Sequence, residues 1–272
     1  MRKLLAANLT RLKKTPLFWG TILLEIAFAL FRIWTSYQDK KVGYEITTEE
    51  LLFTYILTTG LVMAVFISMF LGTEYHDGTI RNKFVAGHSR ADVYFANLAV
   101  VLIACLLFTA AYLTAALLGG ILVFGFPTIS ASVLLTVFLG TLVTSAAFCA
   151  LYTLIAMNCS HKATSAIVCI LFFFGLLCAS TYLFARLDAQ PEHLVIDLVD
   201  GEMVSHMEPN PRYLQGKKRE IYQFLVDFLP TGQATEYMVM IAKPLLLSLY
   251  SAVIFLVSSV GGLVLFRKKD IK

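Results

Sequence analysis

Apolar runs of membrane-spanning length alternate with short polar segments along most of this chain. Six such runs are present: Pro16–Ser36, Leu51–Leu71, Val93–Val123, Ala131–Met157, Thr164–Phe184 and Pro244–Phe266. A helix needs roughly 20 mostly apolar residues to cross a bilayer, so each run predicts one span. The runs are apolar on all sides and lack the two-residue alternation of a barrel strand, which excludes a transmembrane β-barrel. The third and fourth exceed what the bilayer requires, so they are expected to tilt or to project beyond it. Gly119–Gly120 is expected to end the membrane part of the third.

Composition supports the same class. Of the 272 residues, 58% are hydrophobic and 15% charged, and mean hydropathy is +0.75. That is too apolar for a water-soluble core and excludes disordered, collagen-like and disulfide-stapled classes. The first span is long and lacks a small-residue cleavage site, so it is read as a span and not as a secretory signal peptide.

Charge sets the expected orientation. With the N-terminus inside, the inner segments carry 13 basic residues and 4 acids, and the outer segments carry 8 basic residues and 13 acids. This asymmetry places both termini in the cytoplasm by the positive-inside rule. The pI near 8.7 therefore reads as an orientation signal and not as a nucleic-acid footprint.

The segments between spans carry their own patterns. Residues 1–15 read as a cytoplasmic amphipathic helix, with Leu4, Leu5, Leu9 and Leu12 on one face and Arg2, Lys3, Arg11, Lys13 and Lys14 on the opposite arc. Such a helix lies on the inner leaflet with its basic face toward anionic lipid. The loop 72–92 is short and polar. Gly78 is placed to break the second span's helix, Thr79 to cap a short helix over about Ile80–Val85, Gly87 to end it, and Ser89 or Asp92 to cap the third span. A short surface helix between two spans can pass force from a soluble partner into both.

The outer segment, 186–243, is the largest extramembrane region. Leu194, Val195, Leu198 and Val199 form one apolar stripe, and Ile221, Phe224, Leu225, Phe228 and Leu229 a second. Both stripes predict amphipathic helices, with Gly201 and Glu208-Pro-Asn-Pro211 marking the turn between them and Pro230 stopping the second helix. Phe224 and Phe228 are the candidate residues of an outer gate or cap, with contact to lipid headgroups as the alternative. The fold class is thus an all-α membrane protein of six transmembrane helices, with an N-terminal interfacial helix, a short cytoplasmic helix and outer amphipathic helices before the last span.

Catalytic chemistry is hard to find. There is no GxxxxGK[ST] phosphate loop, no HExxH, no GxSxG and no paired-cysteine spacing, so the chain is not expected to be an enzyme or to bind ATP itself. The cysteines at 105, 149, 159, 169 and 178 read as small apolar packing residues. Glu25 is the exception within the spans. A charge near the middle of a span costs several kcal/mol, so Glu25 is expected to face protein or a watery cavity. It is either protonated, or hydrogen-bonded to a neighbouring hydroxyl such as Thr58, Thr59 or Ser68, or it lines a functional path, with Arg32 reaching it only in part.

One stretch carries a resemblance. Glu74-Tyr75-His76-Asp77-Gly78-Thr79-Ile80-Arg81-Asn82-Lys83, then Gly87-His88-Ser89-Arg90 opening a long span, resembles the permease subunits of ABC-2 type transporters. The basic helix before the first span, the six spans, the long outer segment and the Arg-Lys-Lys-Asp ending resemble the family too. Among its members the chain looks like bacterial exporters of bacitracin, lantibiotics and phenol-soluble modulins; sodium-exporting and drug-exporting permeases share the scaffold.

The resemblance implies a plasma-membrane exporter subunit of amphipathic peptides or lipophilic drugs. Its domain would be 16–272, with a second permease copy, identical or related, and two ATP-binding subunits that hold the ATP and Mg. Substrate would pass between the permeases, lined by the first, second and fifth spans, and Glu25 would line that path at the permease interface and meet cationic groups of the substrate. Thr79–Val85 would be the coupling helix. Ile80 and Phe84 would dock in an apolar groove of the ATPase, Arg81 and Lys83 would lie at the groove's rim, and Glu74 and Arg90 would orient the helix by pairing with each other or with the ATPase. The competing readings are a membrane scaffold or sensor on the same fold, or an exporter of ions or drugs.

Overall fold

The computed structural model describes residues 1–199, 202–240 and 243–270. Eleven helices and one hairpin follow in chain order: α1 (Arg2–Lys14), α2 (Pro16–Lys41), α3 (Thr48–Leu52), α4 (Tyr55–His76), α5 (Thr79–Val85), α6 (Arg90–Phe124), α7 (Ala131–Asn158), α8 (Lys162–Leu187), β1 (Glu192–Val199), β2 (Glu202–Pro209), α9 (Gly216–Phe228), α10 (Pro230–Met238) and α11 (Pro244–Lys268). Among the described residues, six segments are long and apolar enough to cross a membrane: α2, the stretch Thr48–His76, α6, α7, α8 and α11. The protein is an all-α multi-pass membrane protein.

The bundle is held by a core that runs the length of α4 and α6. Phe66, Phe70, Phe108, Phe148 and Tyr152 are all buried there. Phe66 meets Phe108 edge-on with centroids 4.9 Å apart, and Phe148 stacks on Tyr152. Such aromatic pairs add to the burial of their area. Cys105, Cys149 and Cys169 lie in the same core. α11 packs on α7 more extensively than any other pair of helices, and α2 packs on α6.

Two glycines explain the close fit. A Cβ on Gly262 of α11 would stand 2.1 Å from the Tyr94 hydroxyl, and one on Gly119 of α6 would stand 2.4 Å from Ile33 of α2. Gly119 and Gly120 therefore serve approach, not termination: α6 continues through both to Phe124.

α1 differs from the expected lipid-seated helix. Leu4, Asn8 and Leu12 are buried, and Leu5 and Leu9 pack on the same core. The leucine face rests on the protein's own bundle, because the start of α6 offers it an apolar wall.

The second expected outer helix forms as α9, but the first does not. Residues 192–209 are an antiparallel hairpin with Leu194 opposite Met207 and Val199 opposite Glu202. Strand geometry wins because Leu194, Ile196 and Leu198 alternate with other residues and are flanked by β-branched Val195 and Val199. The Asp200-Gly201 pair between the strands is a strong hairpin signal in the sequence. Gly201, expected to mark a turn between two helices, lies outside the described residues. Pro230 ends α9 as expected, and it also opens α10 at its first position, where the missing N–H is not needed.

Candidate functional site

At the end of the bundle that carries Met1 and Asp270, the last turn of α4 presents Glu74, whose side chain is fully buried. Arg11 Nη1 of α1 and Lys83 Nζ of α5 both pair with Glu74 Oε1, Lys83 at 2.5 Å. Asn97 Nδ2 of α6 donates to Oε2 at 2.9 Å. Asn8 Nδ2 of α1 donates to Asn97 Oδ1 at 2.6 Å, and Lys83 Nζ donates to Asn8 Oδ1 at 3.0 Å. The Arg11 guanidinium also lies over the Phe70 ring, 4.0 Å from its centroid, a cation–π contact. A carboxylate taken from water needs such partners. Burial pulls the Lys83 ammonium below its ordinary pKa, against the opposing effect of Glu74. One buried node therefore ties α1, α4, α5 and α6.

The turn from α4 into α5 follows from Gly78, which takes φ +66°, a conformation glycine adopts without penalty. Thr79 is the first residue of α5 and not its cap; its hydroxyl donates back to the Glu74 carbonyl at 3.3 Å. Gly87, at φ +82°, lies just past the Ala86 cap of α5. Ser89 caps α6 by accepting from the Asp92 N–H at 3.1 Å.

The orientation of α5 corrects one expectation. Ile80 is buried at 2% exposure, and Phe84 packs on the core with its ring 6.3 Å from that of Phe266. The apolar face expected to dock on a partner instead closes the bundle, because Phe266 already supplies an apolar surface there. The face left outward is Thr79, Arg81, Asn82 and Val85, the last 88% exposed.

Arg90 corrects another. Glu74 and Arg90 do not pair. Arg90 Nη1 donates to the Phe266 carbonyl at 2.8 Å and to that of Lys269 at 2.5 Å. These carbonyls close the C-terminal end of α11, where a helix lacks internal donors and favours a cation. Lys269 repeats the pattern on α7: its Nζ donates to Cys159 O at 2.8 Å and Met157 O at 3.2 Å and lies 3.9 Å over the Tyr75 ring. Burial pulls the Lys269 ammonium down to about 8. A cavity of about 280 Å³ opens beside it, lined by Tyr75, Ile80, Arg81, Ser160, Lys269 and Asp270.

Within the spans, Glu25 is 1% exposed and neither carboxylate oxygen has a hydrogen-bond partner. Thr58 and Ser68 bond their own backbones, and Thr59 Oγ1 is itself unpartnered. The hydrogen bonds expected to these residues do not form. Glu25 shares the buried row Phe18, Thr21, Glu25, Ala29 and Ile33 of α2, which packs on α6. It is enclosed by its own chain, so the expected place on a path between two copies is not met in this conformation.

On the opposite side, Phe224 and Phe228 of α9 stack 5.9 Å apart, and both meet Tyr250 of α11 edge-on. Phe224 remains 48% exposed and Ile221 55%. The buried face of α9 is instead Val226, with Tyr222 and Leu229, against Leu183, Phe184 and Leu187 of α8; of the expected stripe only Leu229 belongs to it. Beneath it, Gln233 of α10 accepts from Thr144 of α7 at 3.0 Å and from Ser251 of α11, and donates to the Asp227 carbonyl at 2.9 Å.

Asn8, Asn97, Lys269 and Gln233 were not singled out as site residues from the sequence. For Asn8 a signal exists: it is the polar residue at i+4 between Leu4 and Leu12 on an apolar face.

A family model described as ABC-2 family transporter protein matches residues 4–178, a stretch that holds every member of the Glu74 node. No curated protein matches the chain.

Proposed function

Because the chain belongs to the ABC-2 family of transporter proteins and is a membrane permease of an ABC transporter, we propose that it exports amphipathic peptides or lipophilic drugs, driven by a separate ATP-binding subunit that seats on α5. The observation that carries the seat is the Glu74 node. It fixes a seven-residue helix rigidly against three others while leaving Thr79, Arg81, Asn82 and Val85 outward.

The node and the cavity beside Arg81 and Lys269 support a partner contact on the end of the bundle that holds Met1 and Asp270. In this reading that end is cytoplasmic, which the distribution of basic residues supports. The contact is then polar with one apolar point, Val85, and Ile80 and Phe84 act by holding the helix to the bundle. Glu74, Lys83 and Arg90 act the same way, the first two through the node and Arg90 through the end of α11.

The substrate class is supported by the walls between the spans. A crevice of about 350 Å³ between α2 and α4 is lined by Leu17, Gly20, Thr21, Leu24, Leu61, Val62, Val65 and Phe66. It offers a hydroxyl and no charge, which suits an apolar cargo and not a bare ion. Phe224 and Phe228, stacked at the far mouth, are the proposed outer gate. The second permease copy supplies the other wall of the path.

Reconstitution of the chain with its ATP-binding partner, followed by ATP hydrolysis measured against a panel of amphipathic peptides, lipophilic drugs and alkali cations, tests this reading. Stimulation by peptides or drugs is expected. Stimulation by cations alone overturns the substrate class, and Val85→Asp with undiminished partner binding overturns the seat.

A further inference from the structure

The two faces of α1 do different things. The inward face carries Leu4, Asn8, Arg11 and Leu12, of which Asn8 and Arg11 belong to the Glu74 node. The outward face carries Arg2, Lys3, Lys13 and Lys14, all exposed. At 100° per residue the two sets lie on opposite sides of one helix. No acidic residue precedes Glu25 in the sequence, so the outward face of α1 itself carries cations alone. Trp19, 55% exposed, donates from Nε1 to the Lys13 carbonyl at 2.8 Å, which places an interfacial aromatic at the edge of the basic face.

We propose that the outward face of α1 binds anionic phospholipid headgroups of the adjoining leaflet, and that Asn8 and Asn97 hand this occupancy to α5 through Glu74 and Lys83. A ligand shifts a conformation only if it binds one state better than another. Here the difference is geometric. With α1 seated, Asn8 reaches Asn97 and Lys83, Arg11 reaches Glu74, and all four outward cations face the headgroups together. Rolling or lifting α1 breaks the node and disperses those cations in the same motion. Anionic lipid therefore favours the seated helix, and the seated helix supplies Lys83 with one of its three oxygen partners, Asn8 Oδ1, beside Glu74 Oε1 and Asn97 Oδ1. Asn8 and Asn97 are positioning residues, since neither touches a substrate.

The inference deepens the reading of α5 as the ATPase seat but is tested without the ATPase. The full chain is placed in vesicles of phosphatidylcholine alone, or of equal parts phosphatidylcholine and phosphatidylglycerol, and amide exchange is followed over Thr79–Val85. Anionic lipid is expected to slow exchange there about tenfold, the equivalent of roughly 1.4 kcal/mol, and high salt to abolish the effect.

Asn8→Leu keeps α1 buried and should leave it bound to anionic vesicles, with the response at α5 lost. If that variant also loses protection in α6 and α7, the decision passes to Arg2, Lys3, Lys13 and Lys14 changed together to Gln. These residues touch no part of the node, and the combined variant should hold α5 at its phosphatidylcholine value in both vesicles. Equal exchange of α5 in the two lipids in the native chain, or an undiminished response in either variant, overturns the proposal. A lipid response at α5 without ATPase contact there would leave this inference standing and remove the seat; the reverse would do the opposite.

Discussion

Arg90, the first residue of α6, donates from Nη1 to the carbonyl of Phe266, 2.8 Å away and 176 positions later in the chain. With the second bond to Lys269 O it fastens the end of the last span to the start of the third. Charged hydrogen bonds of this kind are worth about 1.5–3 kcal/mol. Arg90→Ala should destabilise the protein by about 1–3 kcal/mol, with faster amide exchange confined to the end of α11. Arg90→Lys, which loses the forked geometry, should recover only part. Thermal unfolding and exchange read both; unchanged exchange at the end of α11 would refute the fastening.

Glu74→Gln leaves Arg11 and Lys83 without a counter-charge. Breaking a buried pair from one side costs about 3–5 kcal/mol. The side chains of Arg11 and Lys83 are 28% and 14% exposed, so solvent reduces this to about 2–4 kcal/mol. Adding Lys83→Met should restore much of the loss by removing one unpaired cation. Chemical denaturation of both variants checks it, and a double variant worse than the single would count against the node.

Lys269 should titrate near 8, far below its unfolded value near 10.4. The folded protein releases this proton first. Between those values the unfolded chain binds more protons, so stability from this group rises with pH across that window and is flat below it. Reductive methylation with isotope-labelled formaldehyde reports the midpoint by NMR. Lys269→Met should remove the slope, and a midpoint above 10 would show that the ammonium is solvated.

Glu25 is a buried carboxyl without a partner, and a central charge in a span costs about 2.5–3.5 kcal/mol on insertion scales. Glu25→Leu should raise stability by about 1–3 kcal/mol and Glu25→Gln by less. Melting in lipid nanodiscs measures this. A loss on either substitution would reveal a partner that binds the carboxylate in the working complex.

The spans, α1, α5, the helix break at Gly78 and the cap at Ser89 were legible because each rests on a local rule: length, periodicity, or one residue's backbone preference. What was not legible is which way a face points. The stripe of α5 looked like a docking face, since the sequence could not show that Phe266, far along the chain, would cover it. Glu74 and Arg90 looked like partners because both flank α5, yet Lys83 and Arg11 are nearer to Glu74 in space. The hairpin at 192–209 was readable from the Asp200-Gly201 pair and the alternation of Leu194, Ile196 and Leu198. The four apolar residues at i, i+1, i+4 and i+5 fit a helix equally well and hid it.

The joint between α1 and α2 has a mechanical meaning. One residue, Thr15, lies between them at φ −81°, ψ 120°, ahead of Pro16. A residue before proline is confined to this extended region, the Thr15 hydroxyl is tied to the Arg11 carbonyl at 2.7 Å, and the Trp19 bond to Lys13 braces the corner. The two helices make a crank with a stiff elbow. At 1.5 Å per residue its arms are about 20 Å and about 39 Å long. A rise of the short arm's tip would swing the far end of the first span through nearly twice that distance, turning a small step along the membrane normal into a sideways stroke inside the bilayer.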